Sequence, residues 1–339
     1  MSGRASRIAS LFAGLCAASL AGCAGPQSVF SPASDQARWL HGLFGLMLWV
    51  CGIAYLLVLA FLAVALWRAR GALAETPITE PHDGRLQWGL RAWAALIVAG
   101  LLTLAVASFL VDRALAGAEP RGDPSVRVTG QQWWWRIEVK DPASGRWVES
   151  ANELHLPLNQ PTPVEVVSAD VIHSFWIPNL SGKIDMVPGR VNRLTITPRQ
   201  LGWVRGQCAE FCGLQHAQMA LDVKVDSPAD YAAWVARQAA PAAAPKDPVA
   251  ARGLALVQDG TCGQCHALRG TAAAARAAPD LTHIAGRRFL AAGAAPLTRG
   301  SLQGWIAQPQ ALKPGAEMPA TGLSPRDAEA VAHYLEGLT

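Results

Sequence analysis

Apolar and polar positions divide the chain into stretches that obey different periods. Leu40 to Leu66 runs for 27 residues without an Asp, Glu, Lys or Arg, and Ala92 to Val111 for 20. At the α-helical rise these predict helices of roughly 40 and 30 Å, against a hydrocarbon layer of about 30 Å. Trp39, Trp67, Trp88 and Trp93 stand near their ends, where an indole keeps its ring in the apolar layer and its N–H in the wet interface. Between Ser125 and Asp226 the pattern shortens to β-branched or alternating runs separated by turn residues: SVRVTG, WRIEVK, ELHL, TPVEVVS, VIHSFWI and RLTITP. Several such runs in close succession predict a β-sandwich or barrel. Pro228 to Ala236 reads as a short helix, Ala239 to Pro248 (AAPAAAPKDP) as an exposed, semi-rigid Ala/Pro linker that joins its two neighbours flexibly, and Val249 to Thr339 as short alanine-rich helices with Gly/Pro connections.

The chain therefore divides into a targeting segment (1–22), an exported N-terminal segment (23–38), a helical hairpin (39–112, spans about 40–66 and 92–111), a β-domain (125–227), a linker (237–248) and a helical domain (249–339). In the first of these, Arg4 and Arg7 precede an apolar run that ends in Leu20-Ala21-Gly22-Cys23. That ending resembles the lipobox of bacterial lipoprotein signal peptides, which implies lipidation of Cys23; an ordinary cleavable signal peptide is the alternative. Arg68, Arg70, Arg85 and Arg91 flank the hairpin turn, and a basic loop stays in the cytoplasm. The expected arrangement is a multi-pass protein of a bacterial inner membrane, with its N-terminus and its large C-terminal part on the periplasmic face. Composition agrees: 51% of residues are hydrophobic and 16% charged, against roughly 25% charged in soluble domains. A net charge of +4 is too weak to argue for nucleic acid as a partner.

Seven cysteines are present; Cys16 and Cys23 belong to the N-terminal segment and Cys51 to the first span. The other four form two pairs, each of which an oxidising compartment would allow to be a disulfide. Their neighbours point elsewhere. Cys208-Ala-Glu210-Phe-Cys212-Gly-Leu-Gln-His216-Ala-Gln-Met219 gathers two thiols, an imidazole and a thioether, a soft donor set that selects copper over hard cations. His173, on the VIHSFWI run, offers a second imidazole. A blue-copper site would leave one cysteine over, and a Cys2His2 zinc site would leave Met219 and Glu210 without a role. Two cysteines bridging two copper ions use the whole set, each ion completed by a histidine and a weak ligand, Met219 or the Glu210 carbonyl.

At these residues the chain resembles subunit II of haem–copper cytochrome c oxidases, and the likeness extends to about residue 236. The Cys208–Met219 run with His173 is similar to the family's binuclear CuA centre. Gly130-Gln-Gln-Trp133-Trp134-Trp135 is similar to its aromatic run, and Lys183-Ile-Asp185-Met-Val-Pro188-Gly189-Arg190-Val-Asn192 to one of its turns. The resemblance implies a cupredoxin-like β-barrel behind the hairpin. It implies His173, Cys208, Cys212, His216 and Met219 as side-chain ligands and the Glu210 main-chain oxygen as another. The Glu210 carboxylate would reach a magnesium ion at the boundary with subunit I, and Trp133 would be an exposed indole through which electrons enter. Many relatives carry a glutamate just before the second span; Gly84-Arg85-Leu86-Gln87-Trp88 holds no acid here, and Glu80 and Asp83 lie upstream.

The second pair, Cys262-Gly-Gln-Cys265-His266, is the attachment signature of c-type haem, with Cys262 and Cys265 as thioethers and His266 as an axial ligand. Met47 lies in a span, Met186 in the turn motif and Met219 in the copper cluster, which leaves Met318 as the second axial ligand, with His283 its rival. Thioether ligation raises a haem's potential. Pro314-Gly-Ala-Glu-Met318-Pro319 resembles the methionine loop of small cytochromes c, which implies an all-α class I cytochrome c domain. His333 reads as structural, and Pro279 and Trp305 as packing against the haem.

The whole then resembles caa-type bacterial oxidases. The expected role is an electron relay from a cytochrome c or cytochrome bc complex, through haem c and CuA, to subunit I, with subunit III in the assembly and proton pumping coupled to oxygen reduction. The oxygen site would belong to the partner. The alternative is a membrane-anchored electron carrier or copper-delivery protein outside any oxidase.

Overall fold

The computed structural model describes residues 24–70, 84–117 and 122–339. Cys23 and the segment before it, and Glu80 and Asp83, lie outside the described residues.

The two apolar stretches form helices α1 (Asp35–Ala69) and α2 (Gly84–Gly117). Each extends past its uncharged run because polar end residues such as Gln36, Arg68 and Gln87 still favour helix once the interior is helical. Both are long and apolar enough to cross a membrane. Trp49, Phe61, Trp67 and Trp88 stand exposed on them, surface that a water-soluble protein keeps covered. Residues beyond Ala37 in these helices form one unit; Ala24–Ala37 and residues 122–339 form another.

In the second unit ten strands make two five-stranded sheets. They are β1 (Val126–Gln131), β2 (Trp134–Lys140), β3 (Trp147–Ala151), β4 (Glu153–Pro157), β5 (Thr162–Ser168), β6 (His173–Trp176), β7 (Ile184–Met186), β8 (Asn192–Ile196), β9 (Gly202–Cys208) and β10 (Ala220–Asp226). The orders β3-β2-β1-β5-β8 and β4-β10-β9-β6-β7 place β1 parallel to β5 and β4 parallel to β10, as in a cupredoxin-like Greek-key barrel. Burial alternates strictly along β1 and β2, the period-two signature of a half-buried strand. Trp135, Ile137, Leu154, Leu156, Phe175 and Ile177 meet in the core without solvent contact. Each fully buried aliphatic there contributes roughly 1.5–3 kcal/mol. Ala24–Ala37 straps onto this barrel: the Asn179 amide donates to the carbonyls of Gly25 (3.1 Å) and Ser31 (2.9 Å). Arg199 grips Asp35 with two hydrogen bonds.

Helix α3 (Pro228–Ala239), capped by the Ser227 hydroxyl, stacks Trp234 on His155 at 4.1 Å. The C-terminal domain follows, with α4 (Pro248–Gln258), the ribbon β11 (Phe289–Leu290) and β12 (Ala295–Pro296), α5 (Arg299–Ala307), α6 (Pro309–Leu312) and α7 (Pro325–Glu336). Its core is the α4–α7 crossing, closed by Val257, Leu268, Leu302, Val331 and Leu335. The helices approach so closely that a Cβ on Gly253 would lie 2.1 Å from the Ala330 carbonyl oxygen, so only glycine fits there.

The expectation of a free tether between the two domains is corrected. The Ala/Pro segment is held by its backbone: Ala242 donates to the Arg269 carbonyl (2.8 Å), and the Tyr334 hydroxyl donates to that of Ala243 (3.3 Å). The Arg269 guanidinium donates to Gln238 and Ala240. Alanine and proline leave backbone carbonyls unscreened by side chains, and the neighbouring domain supplies the donors. The two domains also bond directly. Arg276 pairs with Glu138 (2.7 Å) and Glu149 (2.6 Å), Arg288 pairs with Asp222 (3.4 Å), and the Ala220 amide donates to the Ala292 carbonyl (2.9 Å).

Candidate functional site

The last residue of β9, the loop after it and the first residue of β6 bring one cluster together. Cys208 ends β9 beside Phe175 of β6, which places His173 on the neighbouring strand. The chain then turns through Glu210 and Cys212 into a single 3-10 turn, His216–Gln218, before Met219 leads into β10. The Cys208 and Cys212 sulfurs lie 3.8 Å apart, far beyond the roughly 2.05 Å of a disulfide. His173 Nδ1 is 3.9 Å from Cys208 Sγ, and the Glu210 carbonyl oxygen 3.2 Å from it. On the other side His216 Nδ1 lies 3.7 Å and Met219 Sδ 3.8 Å from Cys212 Sγ. Each sulfur thus has one imidazole and one weak donor, and the sulfurs have each other. His173, Cys208, Cys212 and Met219 are buried. This donor set fits copper: soft sulfur, imidazole and a carbonyl, in a dry pocket.

The supporting shell orients the donors. His173 Nε2 bonds Asp170 at 2.8 Å, which leaves Nδ1 facing the sulfurs. A Cβ on Gly130 would come within 2.9 Å of the His173 ring, so glycine in the aromatic run makes room for this imidazole. The neighbouring Cys212 thiol and His173 hold the Cys208 thiol down to about 3 against the effect of burial, and the same partner and burial push Cys212 up. Burial opposes charge on His173, but Cys208 and Asp170 outweigh it and raise its pKa. The Glu210 carboxylate is half-buried and lies 3.6 Å from the Lys183 ammonium.

A second site opens in the C-terminal domain as a mostly apolar cavity of about 380 Å³. Cys262, Cys265 and His266 line one part, Met318 and Pro319 another, with Pro279, Leu302, Trp305 and Ile306 between. Cys262 opens a 3-10 turn whose bonds bring the His266 amide onto the Cys262 carbonyl (2.9 Å). His266 Nδ1 bonds the Pro279 carbonyl at 2.7 Å, which fixes the ring and leaves Nε2 free for a metal. Burial lowers the His266 pKa, with the Pro279 bond opposing, so the ring stays neutral as a ligand must. Two thiols, an imidazole and a thioether around an apolar hollow fit a c-type haem. His283 is absent from the lining; its ring nitrogens face the carbonyls of Thr339 (3.0 Å) and Ala240 (3.1 Å). His333 bonds Asp247 at 2.8 Å, a structural role.

Trp133 joins the two sites, and its expected exposure is corrected. The indole is 8% exposed. Its N–H donates to the Cys212 carbonyl (2.9 Å), while Trp133 and Trp134 form part of the cavity wall. The covering comes from the C-terminal domain, where the Lys313 ammonium donates to the carbonyls of Trp133 (2.7 Å), Gln218 (2.8 Å) and Ala291 (2.9 Å). Burial brings this ammonium down to about 7, opposed by Cys212. Lys313 and Asp170 were not among the residues singled out by sequence. A lysine in a loop reads as solvated, although the Asp170–His173 spacing offers a hint.

Residues 140–226 match the family model for the cytochrome c oxidase subunit II periplasmic domain, and residues 250–339 match that for cytochrome c. "Cytochrome c oxidase subunit 2" of Alkalihalophilus pseudofirmus is 31% identical over 327 residues, 94% of this chain and 93% of that protein. The protein of the same name from Bacillus subtilis is 28% identical over 341 residues, 94% of each. Among solved structures, the periplasmic domain of subunit II of cytochrome oxidase from Bradyrhizobium japonicum shares 33% identity, covering 34% of this chain and 94% of that one at a TM-score of 0.32. With soft donors suited to copper in the first domain and a cavity suited to haem in the second, the chain belongs to the cytochrome c oxidase subunit 2 family, carries a cytochrome c domain, and serves electron transfer in a cytochrome c oxidase.

Proposed function

We propose that this chain takes electrons from a cytochrome c donor or a cytochrome bc complex into covalent haem c, relays them through binuclear CuA, and delivers them to subunit I of a proton-pumping oxidase that also holds subunit III. Bound at these sites, haem iron and paired copper supply one-electron redox steps at little reorganisation; the oxygen chemistry belongs to the partner. In this reading Cys262, Cys265, His266 and Met318 would hold the haem, and Cys208, Cys212, His173, His216, Met219 and the Glu210 carbonyl would hold the copper pair. Trp133 is the aromatic through which electrons reach copper.

The observation that carries the proposal is the burial of Trp133 between the Cys212 carbonyl and the cavity wall. A ring hydrogen-bonded to the copper loop on one side and bordering the haem cavity on the other offers a continuous route. The Glu210 carboxylate, on the copper loop, would reach a magnesium ion at the subunit I boundary. The hairpin supports a multi-pass inner-membrane protein with both redox domains periplasmic, and the Leu20-Ala21-Gly22-Cys23 sequence supports lipidation of Cys23. Oxygen consumption by vesicles whose sole subunit II is this chain tests the reading. Cys212→Ser is expected to abolish respiration from reduced cytochrome c; undiminished respiration would contradict it.

A further inference from the structure

The cytochrome domain meets the copper domain through the Lys313 ammonium, which is 3% exposed and bonded to three backbone carbonyls. Two of those carbonyls, Trp133 and Gln218, belong to the copper domain; the third, Ala291, belongs to the cytochrome domain. An ammonium has three donors in a tripod, and all three are used across the joint. Gln218 precedes the ligand-bearing Met219, and Trp133 is bonded to the Cys212 carbonyl, so one side chain holds both the copper loop and the aromatic wall. The neighbouring Gln215 amide donates to the Pro314 carbonyl at 2.6 Å, a second bond from the copper loop to the loop that follows Lys313. Arg276 and Arg288 pair with Glu138, Glu149 and Asp222 further out.

We infer that Lys313 is a positioning residue for electron transfer between the two domains, locking the cytochrome on the copper domain with Trp133 between them. This rests on the relay reading above. A tethered carrier must find its docking site anew for each electron, at an effective concentration set by the linker. A latched one is preorganised, and its transfer step is independent of solvent viscosity. Arginine would not substitute: its planar fork cannot present three donors to carbonyls arranged around one nitrogen.

The test uses the full chain carrying copper and haem, with flash reduction of the haem and observation of copper reduction. Lys313→Met leaves buried carbonyls without donors and is expected to slow transfer roughly tenfold or more. The slowed rate should fall further as glycerol is added, while the copper EPR signal, haem spectrum and both potentials stay at wild-type values. Lys313→Arg is expected to remain slow. A wild-type rate without viscosity dependence in Lys313→Met, with both centres loaded, would overturn the inference. If Lys313→Met fails to load copper, Arg276→Gln, whose side chain bonds only Glu138 and Glu149 of the copper domain, carries the test through the same joint, and a rate unchanged at all viscosities would overturn it. A wild-type chain that lacks the two-copper signal or the haem defeats instead the relay reading.

Discussion

The Trp133 indole N–H donates to the Cys212 carbonyl at 2.9 Å, so an aromatic at the edge of one cavity is bonded to the backbone of a sulfur ligand in the other site. The Gln132 amide donates to the same oxygen at 2.7 Å. Removing the indole donor therefore leaves that carbonyl satisfied, at a cost of about 1 kcal/mol. Trp133→Phe is expected to keep copper content and fold while slowing haem-to-copper transfer severalfold, and Trp133→Leu to slow it further. Flash-reduction kinetics on the full chain provide the check; equal rates in all three proteins would remove Trp133 from the route.

The 2.8 Å bond from Asp170 to His173 holds the imidazole toward the sulfurs. Carboxylate partners of metal-ligating histidines are worth roughly 10–100-fold in metal affinity. Asp170→Ala should weaken copper binding by that factor in a chelator competition, with little change in thermal midpoint without metal. Unchanged affinity would mean that packing against Gly130 alone orients the ring.

Met318 is the thioether of the haem cavity wall. Replacing it by histidine exchanges a ligand that raises haem potential for one that lowers it. A redox titration of Met318→His is expected to show a lower haem potential with the copper potential unmoved. A potential equal to wild type would exclude Met318 as an axial ligand.

Much of this site could be read from sequence because each copper donor has a distinctive chemistry and the donors crowd into one loop, with His173 on a strand whose pattern is plain. The strands β1, β2, β4, β5, β6 and β8 coincide with runs that alternate or are β-branched. Two of the others hide for local reasons. β9 contains Gly202 and Gly206, residues that weaken a strand pattern, yet Gly206 is required because a Cβ would lie 2.9 Å from the Trp176 carbonyl oxygen. β7 is three residues long. The burial of Trp133 was illegible because its neighbours include Lys313 at its carbonyl and Gly315 beside its ring, some 180 positions away. Lysine is almost never fully buried unless paired, so nothing in the loop sequence marks it as a latch. The linker misled for a similar reason: composition reports stiffness, not the donors that Arg269 and Tyr334 bring from a distant part of the chain.

Asp222 sits where the domains meet, and burial raises its carboxyl to about 6, with Arg288 opposing. In the unfolded chain an aspartate titrates near 3.9. The folded state therefore holds this proton more tightly, and the group's stabilising contribution is complete below about pH 4 and lost as pH rises through about 6. Asp222→Asn should flatten that segment of the stability profile and be more stable than wild type at pH 7. Urea unfolding at intervals from pH 4 to 7 checks it; parallel profiles for the two proteins would refute the assignment.

EPR and metal analysis of the purified full-length protein decide whether Cys208 and Cys212 hold two coppers in a chain that also carries haem c. Two copper atoms and one haem iron per chain are expected, with a single unpaired electron shared by both copper nuclei, a signal lost in Cys208→Ser and Cys212→Ser alike. One copper per chain with an unshared electron, or zinc in its place, would contradict it.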